Sequence, residues 1–221
     1  MGTELFDPIK AQAKITREVL VGFSGGKDSC VTLDLCFKYF DKVQPFFMYQ
    51  VPNLSFQERT IRWYENKYRC NVIRVPHFET ADFLRYGLYR EPDYNVRPVS
   101  TSEMYDFLRD KTGIYWIAAG ERASDSIVRN AMIKNTGSID RKRGRFFPIA
   151  YWNKRDVLRY IKLKKLLTSP ESKKLGFSFR SLDDKSLAML KKYYPRDLET
   201  VKRIYPLCEA AIKRYEQYGD K

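Results

Sequence analysis

Histidine is almost missing from this chain: His77 stands alone among 221 residues. One imidazole does not complete a usual zinc set. The four cysteines, Cys30, Cys36, Cys70 and Cys208, include no CxxC pair. Neither zinc nor an iron–sulfur cluster is expected from that spacing. Cys30 and Cys36 fall six residues apart, off a common helical face, and read as buried reduced thiols. Long apolar runs are lacking too; none approaches the ~20 residues a bilayer span needs, so no membrane contact is expected. Residues 1–7 have no basic start followed by an apolar stretch, which argues against a secretory leader and for the cytoplasm. There is no internal repeat and no low-complexity tract.

Acidic residues are in short supply. Asp and Glu number 27 against 41 Lys and Arg, a net charge of +14. Such a surface attracts polyanions, either nucleotides or nucleic acid. Much of the excess sits in residues 139–145 and 154–165. A basic patch over 141–165 is thus a candidate nucleic-acid contact, and a set of solvated helix faces is its rival. Hydrophobic residues at 43% and aromatics at 15% suffice for a real core. The length fits one ordinary domain with a small C-terminal extension.

Hydrophobic patterning predicts helix 6–16, strand 18–23, a helix to about 40, strand 43–49, helix 56–68, strand 71–75, helix 81–88, helix 101–111 and strand 114–119. Beyond these come a flexible basic loop over 137–145, a short extended piece at 146–149, a helix over 153–164 and a loop over 168–180. Two helices, near 183–193 and 197–215, close the chain. Strands alternating with helices imply a parallel, twisted α/β sheet covered on both faces. Ligands on such sheets bind outside the carboxyl ends of the strands. The expected domains are an α/β nucleotide-binding domain over 1–165 and a helical extension over 166–221.

The chemistry concentrates where the first strand breaks into its helix, at Ser24-Gly25-Gly26-Lys27-Asp28-Ser29. Glycines let the backbone approach a phosphate, and the open amides of a first helical turn point at it. Lys27 adds a charge; Ser24 and Ser29 add hydroxyls. The spacing is not Gly-x-x-x-x-Gly-Lys-Ser/Thr. These six residues, in a strand–loop–helix setting, resemble the PP-loop of the ATP pyrophosphatase superfamily.

A second block follows the fourth strand, Gly120-Glu121-Arg122-Ala123-Ser124-Asp125-Ser126-Ile127-Val128-Arg129. It is similar to a block of the PAPS reductase family and the related ATP sulfurylase small subunit, with Asp125 where those have Glu. A third, 143–161, is similar to the same family's Pro-Ile-x-x-Trp stretch. The resemblance implies an adenine-nucleotide-alpha-hydrolase-like fold. It also implies ATP or an adenylyl sulfonucleotide as ligand, with Mg²⁺ held through the phosphates.

The implied binding set is Ser24, Gly25, Gly26, Lys27, Asp28, Ser29, Gly120, Arg122 and Arg129. Lys27, Asp28 and Arg122 are the candidate catalytic residues. Asp28 is read as a metal orienter or a helix cap. Arg129 is read as a ligand contact or the ion-pair partner of Asp125. The family's C-terminal Glu-Cys-Gly-x-His segment is missing; Cys208 sits instead in an expected helix, a poor setting for a nucleophile. Three readings follow: an enzyme that adenylylates an acceptor in sulfur metabolism or nucleic-acid modification, a sulfonucleotide reductase, or a non-catalytic binding module. A partner subunit or second copy remains open as a further partner.

Overall fold

The computed structural model describes residues 2–169, 179 and 181–219. Its contacts divide the chain into two compact units. One comprises Met1–Phe47, Thr60–Arg74 and Phe107–Thr168; the other comprises Met48–Arg59, Val75–Asp106 and Ser169–Lys221. The second unit is therefore not the C-terminal segment alone.

The sheet has the order β3-β2-β1-β4-β6-β5. Its strands are β1 (Glu18–Gly22), β2 (Lys42–Tyr49), β3 (Ile73–Pro76), β4 (Ile117–Ala118), β5 (Ile139–Asp140) and β6 (Arg145–Phe146). β1 runs parallel to both β2 and β4, and β4 runs parallel to β6. Val19, Leu20 and Val21 are consecutive and fully buried. A strand can carry such an unbroken apolar run only where both faces of its sheet are covered. The expected fourth strand over 114–119 contracts to two residues, with Tyr115 half-exposed before it.

The basic stretch expected as a flexible loop is a hairpin. β5 pairs antiparallel with β6, Ile139 opposite Phe146 and Asp140 opposite Arg145. Asp140 is buried and organises the turn by accepting the Arg143 amide (3.1 Å) and guanidinium (3.2 Å). Gly144 completes it at φ 60°, where a side chain would be strained.

Helices α1 (Asp7–Ala13), α2 (Lys27–Tyr39), α6 (Ile127–Thr136) and α7 (Lys154–Lys164) belong to the first unit. α7 opens with a reciprocal cap: Asn153 accepts the Asp156 amide at 3.0 Å, and Asp156 accepts the Asn153 amide at 3.2 Å. Trp152, just before it, is buried and donates its indole N–H to the Leu5 carbonyl at 2.7 Å. α2 is anchored at Asp34, whose carboxylate accepts the hydroxyls of Tyr68 and, at 2.7 Å, Tyr160. Burial, then that carboxylate, pushes both phenols up and keeps them neutral.

α3 (Ser55–Tyr68) and α5 (Thr101–Thr112) each run from one unit's residues into the other's. The second unit contains α4 (Glu79–Arg85), α8 (Asp184–Tyr193), α9 (Pro195–Ile204) and α10 (Glu209–Tyr218). The single helix expected over 197–215 is broken. Pro206 disfavours helical geometry at Tyr205, which sits at φ −125°, ψ 69°, and a short 3-10 turn, Pro206–Cys208, separates the two pieces. The core of this unit gathers Leu54, Phe56, Leu187, Leu190, Val201, Tyr205 and Ile212. The expected loop over 168–180 falls mostly outside the described residues.

Two contacts set testable constraints. Asp197 is buried and accepts both the Ser55 amide (2.9 Å) and its hydroxyl (2.7 Å), fixing the start of α3 against α9. Asp197→Ala removes two charge-assisted bonds and is expected to cost about 3 kcal/mol; an unchanged urea midpoint would contradict this. Gly120 packs its backbone on the start of α2: a Cβ there would lie 3.1–3.2 Å from the Asp28 carbonyl group and the Ser29 nitrogen. Gly120→Ala should therefore displace that helix end and cost about 1–3 kcal/mol, read as a lower melting temperature.

Candidate nucleotide site

The site begins where β1 ends. Gly25 takes φ 72°, open to glycine at no cost, in the turn that leads into α2. Gly26 is the N-cap of α2 and offers no side chain for capping. The first-turn amides of α2, on Lys27, Asp28 and Ser29, thus have no intrahelical acceptor. Two serines stiffen the loop. The Ser29 hydroxyl donates to the Gly26 carbonyl (2.9 Å) and accepts the Ser24 amide (3.1 Å); Ser24 and Ser29 hydroxyls are also 3.1 Å apart. Beneath them the buried Cys30 thiol donates to the Gly25 carbonyl at 3.4 Å. These serines shape the loop as much as they line it.

Asp28 is not the helix cap. One of its oxygens lies 2.5 Å from the Lys27 ammonium and the other 3.0 Å from the Arg122 Nε. The latter contact is off-line for a hydrogen bond, which leaves both buried atoms paired by charge alone. Arg122 is itself buried. It lies 2.5 Å from one Asp125 oxygen and donates to the Ser124 hydroxyl at 3.3 Å. The other Asp125 oxygen accepts the Arg122 amide (3.2 Å) and is 3.5 Å from Arg129. Gly120, one residue before Glu121, is the point where this second loop touches the first.

The structure thus brings Ser24, Gly25, Gly26, Lys27, Asp28, Ser29, Gly120, Arg122 and Arg129 into one neighbourhood. Arg122 lies in it as a buried bridge between two carboxylates. Arg129 pairs with Asp125 and remains partly open to solvent. Three cations face two carboxylates, which leaves net positive charge beside the open amides. The Asp125–Arg129 pair is the ion pair that the sequence offered for Arg129, whereas the pairing of Asp125 with Arg122 and of Glu121 with Arg145 was not anticipated. Glu121 binds Arg145 at 3.0 Å, so that Arg145 does not reach freely over the loop, and Arg143 is likewise held by Asp140. The i,i+3 spacing of Arg122 and Asp125 was the one available signal.

A metal held by Asp28 does not fit this donor set, because both of its oxygens face cations. Among the described residues no three His, Cys, Asp or Glu side chains gather as a metal-binding group. Cys30, Cys36 and Cys208 are buried. Burial pushes the Cys36 and Cys208 thiols up, and burial together with Glu65 pushes Cys70 up to about 11. Cys208 lies in the turn before α10 rather than inside a helix. No described helix is long and apolar enough to cross a membrane.

Two solved structures of known proteins share this fold. The NH3-dependent NAD synthetase of Campylobacter jejuni, in complex with nitrate, aligns over 99% of this chain and 95% of its own, at 15% identity and TM-score 0.52. The U34-tRNA thiolase NcsA of Methanococcus maripaludis, with its [4Fe-4S] cluster, aligns over 90% of this chain and 77% of its own, at 17% identity and TM-score 0.50. A PAPS reductase from Candida auris, in a phosphate complex, aligns over 74% and 79%, at 16% identity and TM-score 0.49. The thiolase corrects one expectation: this fold does accommodate an iron–sulfur cluster, so cysteine spacing was no ground for excluding one. No curated protein sequence matches the chain. The family model of the phosphoadenosine phosphosulfate reductase domain matches residues 18–170, and with that match over most of its length the chain belongs to that family.

Proposed function

We propose that the chain is an ATP-using PP-loop enzyme that adenylylates an acceptor. The observation that supports this most is the left-handed Gly25 turn opening α2 with Lys27 beside it, a cradle of amides and charge suited to a polyphosphate. In this reading the loop holds the β and γ phosphates. An acceptor oxygen attacks the α-phosphorus, the bond from that phosphorus to the α–β bridging oxygen breaks, and pyrophosphate leaves with the electron pair. Mg²⁺ entering with the triphosphate would neutralise its charge; the protein supplies position and the electrostatic frame. Lys27 contacts phosphate, while Asp28, Asp125 and Arg122 act as positioning residues that hold its surroundings. The excess of fourteen positive charges favours a polyanionic acceptor, nucleic acid, over a small neutral one.

A sulfonucleotide reductase is the rival that family membership favours. It needs a thiolate to attack sulfur, and Cys208 is buried with its thiol pushed up, the wrong direction for a nucleophile. A non-catalytic binding module would use the same cradle without turnover.

The three readings separate in one set of assays. ATP with Mg²⁺, in the presence of RNA or DNA, is expected to yield AMP-linked product and pyrophosphate. Lys27→Ala should weaken ATP binding by roughly ten- to a hundred-fold, from a lost charge-assisted contact of about 1.5–3 kcal/mol, measured by calorimetry. Cys208→Ala should leave turnover unchanged. Sulfite released from an adenylyl sulfate with a thiol reductant, and abolished by Cys208→Ala, would establish the reductase instead. ATP binding without turnover in any mixture would leave only the module.

A further inference from the structure

The end of the sheet remote from the nucleotide loop carries a second chemically distinct surface. β1, β4 and β6 are parallel, so Tyr115 before β4 and Gly144 before β6 lie at the amino ends of the strands, while residues 24–29 follow the carboxyl end of β1. The five residues of β1 separate them, roughly 17 Å of extended chain.

Three groups interlock at this end. The Arg109 guanidinium stacks over the Tyr115 ring, 4.8 Å from its centroid. It also donates to the Tyr115 carbonyl at 2.9 Å and to the Arg143 carbonyl in the hairpin turn at 2.6 Å. Gly144 lies so close beneath that a Cβ there would stand 2.6 Å from the ring. The tyrosine is thus held by the Gly144 backbone, by Arg109 over the ring and by Trp116 edge-to-face at 5.6 Å, yet half of its surface is open. The hairpin turn whose Gly144 packs on this ring also carries Arg141 and Lys142. Both are exposed, and among the described residues neither has an ion pair. Asp140, the carboxylate within the turn, is already taken by Arg143. Asp110 neighbours Arg109 in sequence but is followed by Lys111.

A rigidly held, half-exposed aromatic ring beside unpaired cations is the chemistry that captures unstacked bases. The ring takes a base face, and the cations take the flanking phosphates. We infer that this surface binds single-stranded nucleic acid, with a base on Tyr115 and phosphates on Arg141 and Lys142. A small anion bound here would lie too far from the loop to react, whereas a polymer can be held at one end of the sheet and reach the other. A duplex offers phosphates but no free base face, so the ring sets the preference for single strands. The inference takes its purpose from the nucleic-acid acceptor proposed above, but its test does not use ATP.

The test is fluorescence anisotropy of the full chain with a short labelled RNA or DNA strand, and with the matching duplexes, across a salt series. The wild-type chain should bind single strands of at least one kind more tightly than the duplex. Arg141→Ala with Lys142→Ala should flatten the slope of log affinity against log salt by about 1.4, at about 0.7 per phosphate contact. Tyr115→Ala should weaken single-strand binding roughly tenfold or more, leave duplex binding unchanged, and be rescued by Tyr115→Phe. Circular dichroism identical to wild type certifies that each variant is folded. Absence of single-strand binding at low salt, preference for the duplex, or wild-type behaviour of the Tyr115→Ala variant would each overturn the inference. None of those results bears on ATP turnover, which separates failure here from failure of the adenylylation reading.

Discussion

A buried arginine is the constraint on which the site depends. Arg122 is almost wholly out of water, and an uncompensated charge in such a place costs several kcal/mol. It is tolerated because two carboxylates, from two different loops, meet it: Asp28 from the turn after β1 and Asp125 from the turn after β4. Satisfying that one guanidinium forces the two loops together. Gly120 eases the approach, since a Cβ there would press on the backbone at the start of α2 at 3.1–3.2 Å. The parallel pairing of β1 with β4 is what sets the two loops side by side at the same end of the sheet.

This arrangement gives the cradle a particular electrostatic character. Lys27 already has a partner in Asp28, and Arg129 has one in Asp125, so the cations are held in place before any phosphate arrives. Preorganised charge costs little reorganisation at the moment of reaction. On the proposed reading, an entering phosphate would therefore compete with a carboxylate for the Lys27 ammonium. The open first-turn amides face no such competition, and they supply the part of the attraction that does not depend on a side chain moving.

The loop at 24–29 was legible because its signal is local: two glycines, a lysine and two hydroxyls on the boundary of a strand and a helix. What was not legible was long-range. Nothing in the sequence near Asp28 announces that Arg122, ninety-four positions later, would claim it, so Asp28 was read as a cap or a metal orienter. The hairpin at 139–146 was missed because its two strands are two residues each and its composition is that of a basic loop. The break at Pro206 was in principle readable, since proline disfavours a helix through the residue before it; the apolar spacing on either side masked it. The cysteines misled in another way. Their spacing describes this chain, but it does not limit what the fold can hold, as the cluster-bearing thiolase shows.

On the proposed reading, the two ends of the sheet divide the labour by chemistry. At the carboxyl ends, backbone amides and shielded ion pairs suit a compact, highly charged ligand that must be held at fixed geometry. At the amino ends, an open ring and unpaired basic side chains suit a long, flexible one whose binding is largely electrostatic and must allow release. Both surfaces are built by the same device, a glycine that lets a neighbour pack directly on the main chain: Gly120 under α2, and Gly144 under Tyr115. In each case the side chain that matters is held by what lies beneath it, which is the condition for recognising a ligand without first spending energy to become ordered.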